Sequence, residues 1–334
     1  MIGDGRAILP GHGRVVALCG GVGGAKLALG LQAILGTQLH IVINVADDFE
    51  HLGLHISPDL DTVLYTLGRL SDRQRGWGRA GESWNFMEAL AQVGGETWFS
   101  LGDRDLALHI ERTRRLAAGS NLTDIAVDVA RSFGLTAHPW PVTDDRIRTV
   151  VVTLDGELPF QRYFVERRCG PIVKRIRFDG ADSARLSAKV REALRPEGLR
   201  LVVICPSNPF LSIDPVLAVP GLRETLQAAN VPIVAVSPLI GGHAVKGPTR
   251  KIMDELGIEA RTKAIAAHYH GLIDGLVFDV GDAAEAAAID VPVCAVPTLM
   301  TDDDSKVRLA GQVLAFGDAV GAARRRFQNR KTQA

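Results

Sequence analysis

Residues 14–48 read RVVALCGGVGGAKLALGLQAILGTQLHIVINVADD, and the order of their parts decides how the rest of the chain is read. An apolar run, VVALC, leads into a loop holding Gly20, Gly21, Gly23 and Gly24. AKLALGLQAIL then has helical spacing, and LHIVINV is a second apolar run. Two such runs joined by a loop and a helix predict a β-loop-α-β unit.

Outward from this unit, the alternation returns at Leu199 with LRLVVIC, LRETLQAA, VPIVAVS, TRKIMDELG, LVFDV, AAEAAAI and PVCAV, then a final helix over SKVRLAGQVLAFGDAV. Parallel strands need helical crossovers, so the alternation predicts an α/β fold with a Rossmann-like, doubly wound, mostly parallel sheet. Residues 59–144 interrupt it with helical patterns (DLDTVLYTLGRL, SWNFMEALAQV, RDLALHIERTRRLAA, LTDIAVDVARSF) and no convincing strand. They read as a mainly helical insert in a core formed by residues 14–58 and 145–320. IRTVVVTL and FQRYFVERR flank Asp155-Gly156 as an antiparallel hairpin, loosened by the intervening ELP. Thr301-Asp-Asp-Asp304 fits a capping box before the last helix. Residues 1–13 and 324–334 carry no periodic pattern and are expected to be flexible.

Lys plus Arg equals Asp plus Glu at 38 each among 334 residues, so no global field draws the chain to nucleic acid or an anionic membrane. No segment approaches the roughly 20 apolar residues of a membrane span, and the N-terminus has no apolar leader. Cys19, Cys169, Cys205 and Cys294 are scattered without a CxxC pair, as buried thiols of a reducing compartment are. A cytoplasmic protein is expected.

In a doubly wound sheet, ligands bind outside the carboxyl ends of the strands. The loops predicted there include the glycine loop, Ala46-Asp-Asp48, Pro206-Ser-Asn-Pro209, Ser237–Gly242 and Pro297–Asp302. Glycines between strand and helix admit a phosphate to the backbone N–H groups of the helix start, or simply make a tight turn. The spelling departs from GxGxxG, where Lys26 stands in place of glycine, and from the Walker A pattern, where Ala25 does. Lys26 either adds a charge to the phosphate or is an exposed helix lysine. Ser207 and Asn208, framed by prolines, suit a nucleotide-contacting loop or a helix cap.

Asp47, Asp48, Glu50, Asp59 and Asp61 fall within fifteen residues beside apolar neighbours. Carboxylates so crowded suit Mg2+, which takes one or two of them and shares substrate phosphates. The alternative has Asp59 capping a helix and the others solvated. In Gly102-Asp-Arg-Asp105, Asp103 would cap the next helix while Arg104 projects a fork of donors. Trp77, on a glycine-flanked loop, would stack on a planar substrate or pack against the insert, and His109 reads as a helix histidine more readily than a catalyst.

The ordered set GGVGGAK, NVADD, SPDLDTVLYTLG, RGWG, LGDRDLALH, PSNP and SPLIGG resembles the 2-phospho-L-lactate transferase (CofD) family of coenzyme F-420 biosynthesis, from about Arg14 to about Gly317. The resemblance implies a Mg2+-dependent homodimeric transferase. Such an enzyme moves a phospholactyl or phosphoenolpyruvyl group from a guanosine-diphosphate-activated donor to the ribityl hydroxyl of the deazariboflavin Fo, releasing GMP. It implies guanosine nucleotide at Gly20, Gly21, Gly23, Gly24, Ser207 and Asn208, with Lys26 a nucleotide contact read from its place in the helix's first turn. It places Fo and catalysis at Asp61 and Arg104, and metal among Asp47, Asp48 and Asp61. Two other readings compete: a non-catalytic nucleotide-sugar-binding regulator of the YvcK type, and a NAD-dependent dehydrogenase with Asp47 or Asp48 on the ribose.

Overall fold

The computed structural model describes residues 11–245 and 247–333, with side chains through residue 327. Seven strands make the central sheet: β1 (Arg14–Cys19), β2 (Leu39–Ile43), β3 (His138–Pro141), β4 (Leu199–Ile204), β5 (Ile233–Val236), β6 (Gly275–Asp279) and β7 (Val293–Val296). Their order is β7-β6-β5-β4-β1-β2-β3, and every neighbouring pair is parallel. The doubly wound sheet is thus as the alternation predicts. The chain winds from β1 outward to β3, then restarts at β4 on the other side of β1 and winds to β7. The reversal opens a crevice at the carboxyl ends of β1 and β4. Both faces are covered, so β1, β4 and β6 are buried along almost their whole length and, apart from Arg14, Arg200 and Asp279, apolar instead of alternating.

β3 is the one central strand without an apolar run; it falls within the stretch 59–144 expected to be a helical insert, so the expected boundary is corrected and the core sheet already resumes at His138. β3 is the sheet edge, where Pro139 and Pro141 deprive no outer neighbour of a hydrogen bond.

Between β2 and β3 the chain makes a short hairpin (Phe49–His51 with Leu54–Ile56) and the helices α2 (Pro58–Leu67), α3 (Asn85–Gln92), α4 (Asp103–Ala117) and α5 (Leu122–Ser132). α3 and α4 exchange caps. Asp103 accepts from the backbone N–H groups of Asn85 and Phe86, whereas Glu82 accepts from those of Arg104 and Asp105. Asp103 therefore caps α3, not its own helix as its position suggests.

The expected hairpin is corrected. Arg148–Thr153 pairs with Gly156–Pro159, so ELP is the return strand, with Val173–Asp179 on the other side. FQRYFVERR is no strand: Arg162–Glu166 forms a π-helical turn. Pro159 is tolerated because its strand is an edge. The AAEAAAI segment lies in 3-10 turns (Val280–Ala288).

The helix α1 (Gly21–Leu35) packs against the C-terminal helix (Asp303–Gln333), and a Cβ on Gly30 would lie 2.2 Å from the carbonyl of Lys306. A capping box forms one residue later than expected, between Asp302 and Ser305 instead of Thr301 and Asp304: Asp302 Oδ1 accepts from Ser305 N, and Ser305 Oγ accepts from Asp302 N. This helix also runs through the tail expected to be flexible, with Arg324 donating to the Val231 carbonyl at 3.2 Å.

Candidate functional site

A cavity of about 670 Å³ opens at the switch point. The core contributes the glycine loop after β1, Asp47 after β2 and Pro206–Asn208 after β4; the insert contributes Asp59, Asp61 and Tyr65 of α2 and Asp105 and His109 of α4. Of the residues singled out from sequence, Gly20, Gly21, Gly23, Lys26, Asp47, Asp61, Trp77, Ser207 and Asn208 line it. Gly24, Asp48, Glu50 and Arg104 are not in its wall.

The glycines serve different needs. Gly21 has φ of 63°, a conformation that penalises a side chain. A Cβ on Gly24 would lie 2.4 Å from Ser207 Oγ and 2.7 Å from Cys19 Sγ, so its missing side chain lets the β1 and β4 loops meet. Ser207 clamps those loops, its Oγ donating to the Gly20 carbonyl at 2.7 Å and accepting from Gly20 N at 3.2 Å. Asn208 accepts two backbone N–H groups with Oδ1, whereas its Nδ2 is buried without a partner, a donor left for a ligand. Lys26 Nζ donates to the Met300 carbonyl at 3.0 Å.

The carboxylates divide into two groups. Asp59 accepts from Gly21 N at 2.8 Å and Asn44 Nδ2 at 3.0 Å, occupying the start of α1 beside the cavity. Burial nevertheless pushes its pKa up to about 6. Asp47, held by Thr149 Oγ1 at 3.3 Å, is also pushed well up, by burial and then by the charge of Asp59. Asp48 is spent elsewhere, accepting from Ser57 Oγ at 2.8 Å and contacting His55 Nε2 at 3.1 Å.

Asp61 belongs to a second network. Arg112 grips it with two hydrogen bonds of 2.6 and 2.8 Å and contacts His109 Nδ1 at 2.7 Å. Tyr65 donates to Asp105 Oδ1 at 2.6 Å. Burial would raise the Asp105 pKa, but His109, the Tyr65 hydroxyl and Arg112 hold it below its ordinary value. Burial and the neighbouring carboxylates drive the Tyr65 phenol far upward. Arg104 is exposed on α4, its guanidinium beside Gly81 instead of over the cavity.

Arg112, Asn44 and Glu82 escape a motif search. Arg112 had one visible signal: with Asp105 and His109 it makes an i, i+4, i+7 set, three polar residues at the spacing of a core-facing stripe. Asp61, Asp105 and His109 offer ligand atoms within 4.8 Å of one another, where Arg112 is already paired with Asp61, and Asp47 and Asp59 also line the cavity.

A switch-point cavity with a glycine loop at the start of a helix and buried acids around it defines an α/β protein built to bind a phosphate-containing ligand. Comparison with known proteins gives that class its family. The model of the family 2-phospho-L-lactate transferase CofD matches residues 15–295, and the chain belongs to that family. It is 40% identical over 319 residues to the phosphoenolpyruvate transferase of Streptomyces griseus, covering 92% of this chain and 100% of that protein. It is 38% identical over 300 residues to the 2-phospho-L-lactate transferase of Methanosarcina mazei, covering 89% of this chain and 98% of that one. A solved UPF0052-family protein from Bacillus halodurans shares the fold, at TM-score 0.59 and 17% identity over 91% of this chain and 99% of that one. Among the described residues no helix is long and apolar enough to cross a membrane.

Proposed function

We propose that the chain transfers a phospholactyl or phosphoenolpyruvyl group from a guanosine-diphosphate-activated donor to the terminal ribityl hydroxyl of Fo, releasing GMP. The observation that carries this reading is the joining of two walls in one cavity: a glycine loop with Asn208 from the core sheet, and an Arg-backed carboxylate, Asp61, from the helices between β2 and β3. The relatives' names supply the group transferred.

The glycine-loop backbone and Asn208 Nδ2 hold the nucleotide. The ribityl oxygen attacks the donor's distal phosphorus, the bond from that phosphorus to the GMP phosphate oxygen breaks, and GMP leaves. Asp61 orients the hydroxyl, and its bidentate pairing with Arg112 fixes the direction in which its lone pairs point. Its proton passes to Asp61 or to solvent. Arg104, at the outer face, contributes at the acceptor end only if the loop around Gly81 lets it turn inward.

Mg2+ is the cofactor we propose, and the donor set fits it: Asp47 and Asp59 are buried carboxylates that repel each other and offer hard oxygens to the cavity. Bound there it would neutralise diphosphate charge. A homodimer in the cytoplasm completes the proposal.

The test is an assay of purified protein with Mg2+, Fo and guanosine-diphosphate-activated phospholactate, phosphoenolpyruvate or phosphoglycerate, following GMP and the mass of the Fo adduct. An adduct with one donor names the substrate. Asp61→Asn should lower kcat about 10²-fold to 10⁴-fold; unchanged turnover would remove Asp61 from the chemistry. Nucleotide binding without turnover of any donor would favour the regulator reading.

A further inference from the structure

His109 is 1% exposed yet lines the cavity, beside Asp61. A guanidinium has only N–H donors, so Arg112 Nη2, 2.7 Å from His109 Nδ1, requires a lone pair on that nitrogen. Arg112 is not at liberty to turn away, because it also holds both Asp61 oxygens and donates from Nε to the His55 carbonyl at 3.1 Å. The neutral ring therefore carries its hydrogen on Nε2. That nitrogen is buried without a hydrogen-bond partner. It lies 3.3 Å from Asp105 Oδ2, an electrostatic contact that helps to hold that carboxylate's pKa down but lacks the alignment of a hydrogen bond, and the other Asp105 oxygen is taken by Tyr65.

We propose that His109 is a substrate-binding, specificity-determining residue: its Nε2–H, locked in that tautomer by Arg112, donates a hydrogen bond to an oxygen of the acceptor substrate beside Asp61. A buried donor left unsatisfied is unfavourable, so an acceptor presenting a hydroxyl or carbonyl oxygen is selected over one presenting N–H or a methyl group. In this tautomer Nε2 has no lone pair, so His109 neither takes the substrate proton nor ligates a cation through that atom. Assigning the acceptor as Fo rests on the proposed transfer; the tautomer does not.

Nitrogen-15 NMR of full-length protein labelled at histidine decides the tautomer, with the His109 signals assigned by their loss in His109→Gln. An Nε2–H ring whose signal moves on addition of Fo is expected; an Nδ1–H ring would overturn the inference. In the transfer assay, His109→Phe should raise KM for Fo about tenfold with kcat little changed, and His109→Gln, which keeps an N–H near the Nε2 position, should stay within about threefold of wild type. A His109→Phe enzyme with wild-type KM would also overturn it. If wild type turns over no donor with Fo, the transfer reading falls instead, and the ring's tautomer alone still judges the inference.

Discussion

Arg112 and Asp61 are 1% and 5% exposed and satisfy each other, so removing one member strands the other as a buried charge. Arg112→Met should lower unfolding free energy by about 3–5 kcal/mol, and Asp61→Asn/Arg112→Met together by clearly less, as urea denaturation would show. A double variant whose loss equals the sum of the two single losses would mean that the pair is not coupled. A half-buried ring, His40, makes stability depend on pH. Burial, then the neighbouring His138 and Arg14, lower the His40 pKa from 6.5 to about 4. Between those values the unfolded chain binds a proton that the fold refuses, so stability is fully present above pH 6.5 and is lost as pH falls toward 4. The ring is only half-buried, which screens the effect to about 1–2 kcal/mol. From pH 7 to 5, wild type should lose about 1 kcal/mol more than His40→Phe in urea titrations; parallel losses would refute the assignment. Sequence alone shows that Asp61 is acidic and near other acids, but not that Arg112, 51 positions later, faces it. Sequence distance hides ion pairs made across helices.

At the scale of elements, two glycines test how α1 and the C-terminal helix meet. A Cβ on Gly30 would strike the Lys306 carbonyl at 2.2 Å, whereas one on Gly311 has only Ile34 Cδ1, at 3.9 Å. Gly30→Ala should therefore destabilise by about 1–3 kcal/mol through overpacking, and Gly311→Ala should stabilise by about 0.5–1 kcal/mol through helix propensity. Thermal melts of the two variants moving in the same direction would contradict that packing. Helices and buried strands were legible because their apolar spacing is a local property: VVALC, LHIVINV and LRLVVIC are all strands. The edges were not. HPWP and ELP form strands despite their prolines, because an edge strand needs hydrogen bonds on one side only, and which strand is an edge depends on distant segments.

At the scale of the molecule, the switch point was legible because winding direction follows from the alternation, and it put the glycine loop and Pro206–Asn208 together. The split between acids was not legible, since Asp47, Asp48, Asp59 and Asp61 look alike in sequence while neighbours from four other segments decide their partners. A cavity walled by core and insert predicts that its two halves can be impaired separately. On the core side, a Cβ on Gly23 would lie 2.4 Å from the Pro206 carbonyl, so Gly23→Ala forces the β1 and β4 loops apart. On the insert side, Trp77 is 49% exposed at the cavity wall, with the Arg75 guanidinium 5.2 Å from its ring centre. A planar acceptor stacking there should quench Trp77 emission. Gly23→Ala should weaken guanosine-nucleotide binding about tenfold by calorimetry and leave the Fo-induced quench intact, whereas Trp77→Phe should remove most of the quench and leave nucleotide affinity unchanged. If Gly23→Ala abolished both, the cavity would be one indivisible site; if Trp77→Phe kept the quench, the acceptor would lie elsewhere.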